Sequence, residues 1–204
     1  MSLDLLSKVG IGDETALPPP AHRGEVSVEQ ALAKRRSCRR YLARALSLDQ
    51  ISQLLWAAQG LTTPDGRRAA PSAGGCYPLE LRLVCAEGVF RYLPEGHQLC
   101  KESDRDVRAD LAAAALGQEF VARAPISLVF SAVYERTTSR YGERGVRYVH
   151  MDVGIAAENV HLQAEALGLG SVAVGAFDDA AVAKVVGLPD PEKALYIIPV
   201  GHRA

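Results

Sequence analysis

Arg35, Ser37 and Arg39 occupy alternate positions in the basic run Lys34-Arg35-Arg36-Ser37-Cys38-Arg39-Arg40. In an extended segment alternate side chains share a face, so two guanidiniums and a hydroxyl would project together. The charged fork of arginine matches phosphate oxygens, and such a trio suits a phosphate grip. A solvated basic run is the simpler alternative. The loop Pro71-Ser72-Ala73-Gly74-Gly75 offers a second site, because small residues let a flat ligand or another backbone approach closely. Gly168-Leu169-Gly170 is no dinucleotide fingerprint, since it follows a helix and precedes a strand. His150, Asp152 and His161 lack a metal-binding spacing. No serine lies in a G-x-S-x-G elbow, and Cys38, Cys76, Cys85 and Cys100 form no C-x-x-C pair, so they read as free thiols.

The element that must position these groups spans Arg144 to Phe177. Val146, Val149, Val153, Ala156, Val160, Ala164 and Leu167 recur in steps of three and four, the helical period. A second stripe (Tyr148, Met151, Ile155, Leu162, Ala166) flanks the first, and Arg147, Glu158 and Glu165 take a narrow third face. A helix apolar around most of its girth, ~35 Å long at ~1.5 Å per residue, belongs in the interior or at a subunit interface. Gly168 and Gly170 stop it, and Ser171 to Ala176 reads as a core strand.

With 204 residues, 23 basic against 24 acidic, the chain has room for one domain and no charge bias toward nucleic acid or membrane surfaces. No apolar stretch reaches the ~20 residues of a membrane helix, and the N-terminus lacks a signal-peptide pattern, so a cytoplasmic protein is expected. Residues 1–25, with Pro18-Pro19-Pro20, read as an extended arm, either disordered or ordered against a partner subunit. Residues 26–204 form the domain proper. Ser27 with Gln30 and Ser47 with Gln50 open two helices as capping boxes. Glu80–Cys85 alternates like a half-buried strand and forms a hairpin with 89–93. A helix over 106–116, a central strand over 125–134, a short helix over 178–186 and a last strand over 194–201 complete the order. Irregular alternation plus a hairpin gives an α+β class with a mixed or antiparallel sheet.

In this order, KRRSCRRY (34–41), PSAGGCYPLEL (71–81), the 140–179 stretch and PVGHRA (199–204) resemble the nitroreductase-like flavoproteins, over about residues 27 to 204. The middle pieces look most like the SagB-type branch, which oxidises azolines to azoles in modified peptides. The resemblance implies a homodimer with FMN at the subunit interface and the long helix as its central dimer helix. It places Arg35, Ser37 and Arg39 at the FMN phosphate and ribityl chain, and Pro71, Ser72, Ala73 and Gly75 along the isoalloxazine of the other subunit. Val174, Gly175 and Ala176 would face the ring near N5, and Arg203 is the C-terminal position available to complete the phosphate site. Gly175 stands where many nitroreductases carry glutamate. Where azoline dehydrogenases carry a catalytic Lys-Tyr pair, Arg140-Tyr141 stands, and an arginine effectively cannot act as a base. The leading expectation is an FMN-dependent oxidoreductase moving a hydride between FMN N5 and a small organic substrate, with NAD(P)H as donor. The alternatives are an azoline dehydrogenase working in a peptide-modification complex, and a flavin-binding protein without turnover.

Overall fold

Both predicted capping boxes open their helices. The Ser27 and Ser47 hydroxyls accept the N–H groups of Gln30 and Gln50, each of which returns a bond to the cap backbone, starting α1 (Val28–Lys34) and α2 (Leu48–Gln59). Ile51, Leu54, Leu55 and Ala58 are the buried face of α2, as their spacing requires. A computed structural model describes residues 3–204 of the chain.

Among the described residues seven strands form one antiparallel sheet in the order β1-β4-β3-β2-β5-β7-β6. They are β1 (Glu14–Ala16), β2 (Leu79–Cys85), β3 (Gly88–Leu93), β4 (Gln98–Ser103), β5 (Ile126–Ala132), β6 (Leu169–Ser171) and β7 (Lys193–His202). The expected hairpin joins β2 to β3, and the 125–134 strand sits at the centre as β5. One sheet face packs on α2 and the long helix α6 (Arg144–Ala166). The other packs on α3 (Arg108–Ala114) and α7 (Asp179–Val186). Two short helices, α4 (Glu119–Arg123) and α5 (Glu135–Tyr141), were not legible as periodic stripes, because five and seven residues are too few turns to show one.

Three sequence expectations change. Glu80–Cys85 alternates in sequence, yet its strand is buried on both faces. Arg82 is 1 % exposed and is held by Glu102 at 2.7 Å and Glu192 at 2.6 Å, so a charge sits inside because two carboxylates neutralise it. The 171–176 run is not one continuous strand: β6 ends at Ser171, and the pairing returns only at Val174 opposite Ile197. The register is unchanged across the gap, and the residue opposite Val172 is Pro199, which has no N–H for the reciprocal bond. The N-terminal arm is not wholly extended either. Leu3–Lys8 is a 3₁₀ helix, and Glu14–Ala16 pairs with β4 of the same chain just before the prolines. The Pro18 carbonyl then accepts the Ser52 hydroxyl at 2.6 Å, which fastens the arm to α2.

Along α6, Val149, Val153, Ala156, Val160 and Ala164 are buried, as the main stripe predicts, whereas its ends are not: Val146 is 40 % exposed and Leu167 half-buried. Met151 and Ile155 of the flanking stripe remain 52 % and 42 % exposed, so an apolar face of the longest helix is left uncovered. No helix among the described residues is long and apolar enough to cross a membrane.

Candidate active site

Beyond α1 the chain is drawn out by backbone pairing. The Cys38 N–H donates to the Ser171 carbonyl at 2.9 Å, the Leu42 N–H to that of His202 at 2.9 Å, and Ser37 lies bridged to Ser171. An extended path alternates its side chains, and Cys38 takes the inward direction: a Cβ added to Gly170 would fall 2.6 Å from its sulfur. Ser37 and Arg39 are exposed, and Arg35 is half-buried. Arg35 lies 3.8 Å from Glu158, while the Arg39 guanidinium sits 5.7 Å above the Phe120 ring. Arg203 reaches the same corner through its bridge to Tyr41. It donates from Nε to the Leu169 carbonyl at 3.1 Å and is ion-paired with Glu165. Behind this corner, His161 Nδ1 lies 2.8 Å from Ser171 Oγ. Burial first, and the Arg35 charge second, push the His161 imidazole down to about 4.

The small-residue loop is held by two groups from distant segments. Ser72 Oγ donates to Asp152 Oδ2 at 2.6 Å and accepts the Tyr77 N–H at 2.9 Å, and the Ala73 N–H points to Asp152 Oδ1 at 3.4 Å. Arg140 Nη1 donates to the Gly74 carbonyl at 3.0 Å. Gly74 has φ +63°, and a Cβ there would fall 2.5 Å from the Tyr141 hydroxyl, so both conformation and space require glycine. Arg140 and Tyr141 therefore back the Pro71–Gly75 loop directly. Asp152 is the residue that sequence reasoning weighed only as a metal ligand. Its signal was a carboxylate inside the apolar circumference of α6, away from the charged face. Burial raises the Asp152 carboxyl, opposed by the Ser72 hydrogen bond.

The third group straddles the sheet edge. Val174 is buried, whereas Gly175 and Ala176 are exposed, and the Ala176 carbonyl accepts Gln118 Nε2 at 3.0 Å. Gly175 borders a cavity of about 660 Å³ together with Tyr134, His150, Gly154, Lys193 and Tyr196. Tyr134 Oη and His150 Nε2 are 2.7 Å apart at its wall. A Cβ on Gly154 would meet nothing within 4 Å, so the cavity floor is open there. The histidines and aspartate weighed for a metal each have a different partner: His150 has Tyr134, Asp152 has Ser72 and His161 has Ser171.

Within the chain the loop and the basic corner lie on different sides of α6. Asp152 holds the loop, whereas Glu158 and His161 face the corner. At about 100° per residue those two lie roughly 120° and 180° around α6 from Asp152.

An antiparallel sheet with helices on both faces, crossed by one long helix that carries these groups on separate sides, is the nitroreductase-like α+β fold. The chain belongs to the nitroreductase family, whose model matches residues 32–202, and it is an oxidoreductase. A Methanocaldococcus jannaschii protein that bears the name nitroreductase is 45 % identical over 185 residues, covering 88 % of this chain and 92 % of that one. The microcin B17-processing protein McbC of Escherichia coli is 27 % identical over 167 residues, 75 % of this chain and 61 % of the relative. The NADPH-flavin oxidoreductase of Vibrio harveyi is 30 % identical over 112 residues, 51 % of this chain and 47 % of the relative. Among solved structures, a Ralstonia eutropha protein that bears the name nitroreductase superposes with a TM-score of 0.86 at 30 % identity, covering 96 % of this chain and 92 % of that one.

Proposed function

We propose that the protein is an FMN-dependent oxidoreductase that works as a homodimer, takes its electrons from NAD(P)H and reduces a small organic acceptor. The observation that carries this reading is the separation of the loop and the basic corner on different sides of α6. Each is half of a site, and the uncovered Met151 and Ile155 mark the face on which a second copy would bring the halves together. Bound FMN supplies the hydride chemistry, while the protein supplies binding, orientation and local charge.

The residues fit such a group. Among the described residues Arg39 makes no ion pair, and the nearby Ser37 hydroxyl is exposed. That leaves positive charge and a donor free for a 5′-phosphate, with Arg35 beside them. Arg203, already paired with Glu165, would add to the field of the corner more than to direct contact. Pro71, Ser72, Ala73 and Gly75 of one subunit would lie along the ring held by the other, kept in shape by Asp152 and Arg140. Val174, Gly175 and Ala176 would border its reactive edge, where the absence of a side chain at Gly175 leaves room for an acceptor.

The test is the visible spectrum of the purified protein, with FMN reconstitution, followed by NADH and NADPH oxidation in the presence of menadione or a nitroaromatic. A yellow, dimeric protein that oxidises one of the two is expected. A protein that is colourless and takes up no FMN would overturn the proposal.

Similarity to a peptide-processing protein supports a second reading, azoline oxidation in a modified peptide, with Tyr141 beside the loop as the group that would handle the proton. An azoline-containing peptide is the discriminating substrate.

A further inference from the structure

The cavity beside Gly175 contains a hydrogen-bonded pair that neither the resemblance nor the family assignment uses. Tyr134 is the N-cap of α5, two residues beyond the end of β5, and His150 lies in the second turn of α6. Their Oη and Nε2 atoms are 2.7 Å apart, and the rings meet edge to face with centroids 5.8 Å apart. Both residues line the cavity, as do Asp179 of α7 and Lys193 and Tyr196 of β7. His150 is solvent-exposed, while Tyr134 is half-buried.

We infer that Tyr134 and His150 form a proton relay that serves the acceptor bound in this cavity. The inference rests on the oxidoreductase reading above. A carbonyl or quinone-type acceptor reduced by two electrons takes up one hydride equivalent, here from the NAD(P)H-reduced flavin, and one proton. Tyr134 O–H gives that proton to the acceptor oxygen as Tyr134 Oη receives the Nε2 proton of the His150 imidazolium. The pair finishes as a phenol donating to the neutral Nε2, the arrangement in which the 2.7 Å contact is a phenol-to-imidazole bond. Solvent at the exposed ring then restores the imidazolium. An imidazole is the side chain suited to exchanging protons near neutral pH. Burial, and secondarily the charge of Asp179, raise the Tyr134 phenol, so its hydroxyl passes a proton on and does not ionise.

Two measurements on the protein as purified test this. Nitrogen NMR of His150 should show the neutral ring protonated on Nδ1 with Nε2 as acceptor, and Tyr134→Phe should abolish that preference. In single turnovers, Tyr134→Phe and His150→Gln should each slow re-oxidation by a quinone about 100-fold more than they slow reduction by NAD(P)H. A neutral His150 protonated on Nε2, or re-oxidation that tracks reduction in both variants, would overturn the relay. Failure to bind flavin would instead defeat the proposed function, and the NMR result would still decide the state of the pair.

Discussion

The Ser72 hydroxyl and the Asp152 carboxylate meet at 2.6 Å, joining a surface loop to the buried side of the longest helix across 80 positions of sequence. The bond fixes the loop because Ser72 also accepts the Tyr77 N–H, so one hydroxyl closes the turn and anchors it. Asp152→Ala would leave the Ser72 hydroxyl without its acceptor and should lower unfolding stability by about 1–3 kcal/mol. Ser72→Ala combined with it should cost less than the sum of the two, since both delete one interaction. Chemical denaturation of the four proteins of that cycle measures the coupling. Full additivity would mean that the bond contributes nothing. FMN affinity should fall in both single variants.

At the basic corner, the Arg39 guanidinium lies over the Phe120 ring and makes no ion pair among the described residues, so its charge is available. Arg39→Ala should weaken FMN binding about 10–100-fold, the worth of one charge-assisted bond of about 1.5–3 kcal/mol. Arg39→Lys should recover part of the loss, because the charge returns without the fork. Fluorescence titration with FMN reads both.

Stability should depend on pH through His161. Its folded value of about 4 lies below the ordinary imidazole value of about 6.5, so the folded state favours the neutral ring. The unfolded chain then binds more protons within that window, and stability present above about pH 6.5 is lost as pH falls toward about 4. The full loss is roughly 3 kcal/mol. His161→Asn should flatten the curve. A phosphate held by Arg35 would offset that guanidinium's repulsion, so flavin loading should narrow the window. Denaturation midpoints between pH 4 and 7, with and without FMN, are the measurement.

The proposed helix interface calls for a probe other than the middle of the main stripe of α6. Val153 is 7 % exposed and belongs to the subunit's own core, so Val153→Asp would unfold the chain before it tested any dimer. Ile155, 42 % exposed on the flanking stripe, is the better position. Ile155→Glu should leave the circular dichroism unchanged while light scattering reports a monomer and FMN is lost. A dimer that persists with FMN bound would place the interface elsewhere.

The fold was legible where a local rule had no competitor. Two serines three residues ahead of glutamines gave both capping boxes, and period-3.6 spacing gave α6 nearly to the residue. It was illegible where the decisive partner lies far away in sequence. Nothing near Val172 announces that Pro199 stands opposite and withholds an N–H, or that Glu102 and Glu192 close over Arg82. In the site, the basic segment and loop could be read from residue type, because charge and small size act locally. Asp152, Tyr134 and His150 could not, since their roles come from partners at separations of 80 and 16 residues.

Arg140 and Tyr141 mark the sharpest choice of function. Azoline oxidation requires a proton to leave carbon as hydride departs, and a base tuned toward neutral pH serves that step. Arg140 cannot be that base, because its guanidinium stays charged, and it is engaged in any case with the Gly74 carbonyl at 3.0 Å. Its evident task is to hold the loop, so Arg140→Ala should loosen FMN binding, and Arg140→Lys should retain part of it. Tyr141 lies where a Cβ on Gly74 would strike its hydroxyl, close enough to act at whatever the loop covers. Reduction of a quinone or nitroaromatic removes no carbon-bound proton, so Tyr141→Phe should leave FMN bound and that activity largely intact. The expected result with an azoline-containing peptide is weak or absent oxidation in the wild type. Fast azoline turnover that collapses in Tyr141→Phe while menadione reduction survives would reverse the ranking and make peptide maturation the principal activity.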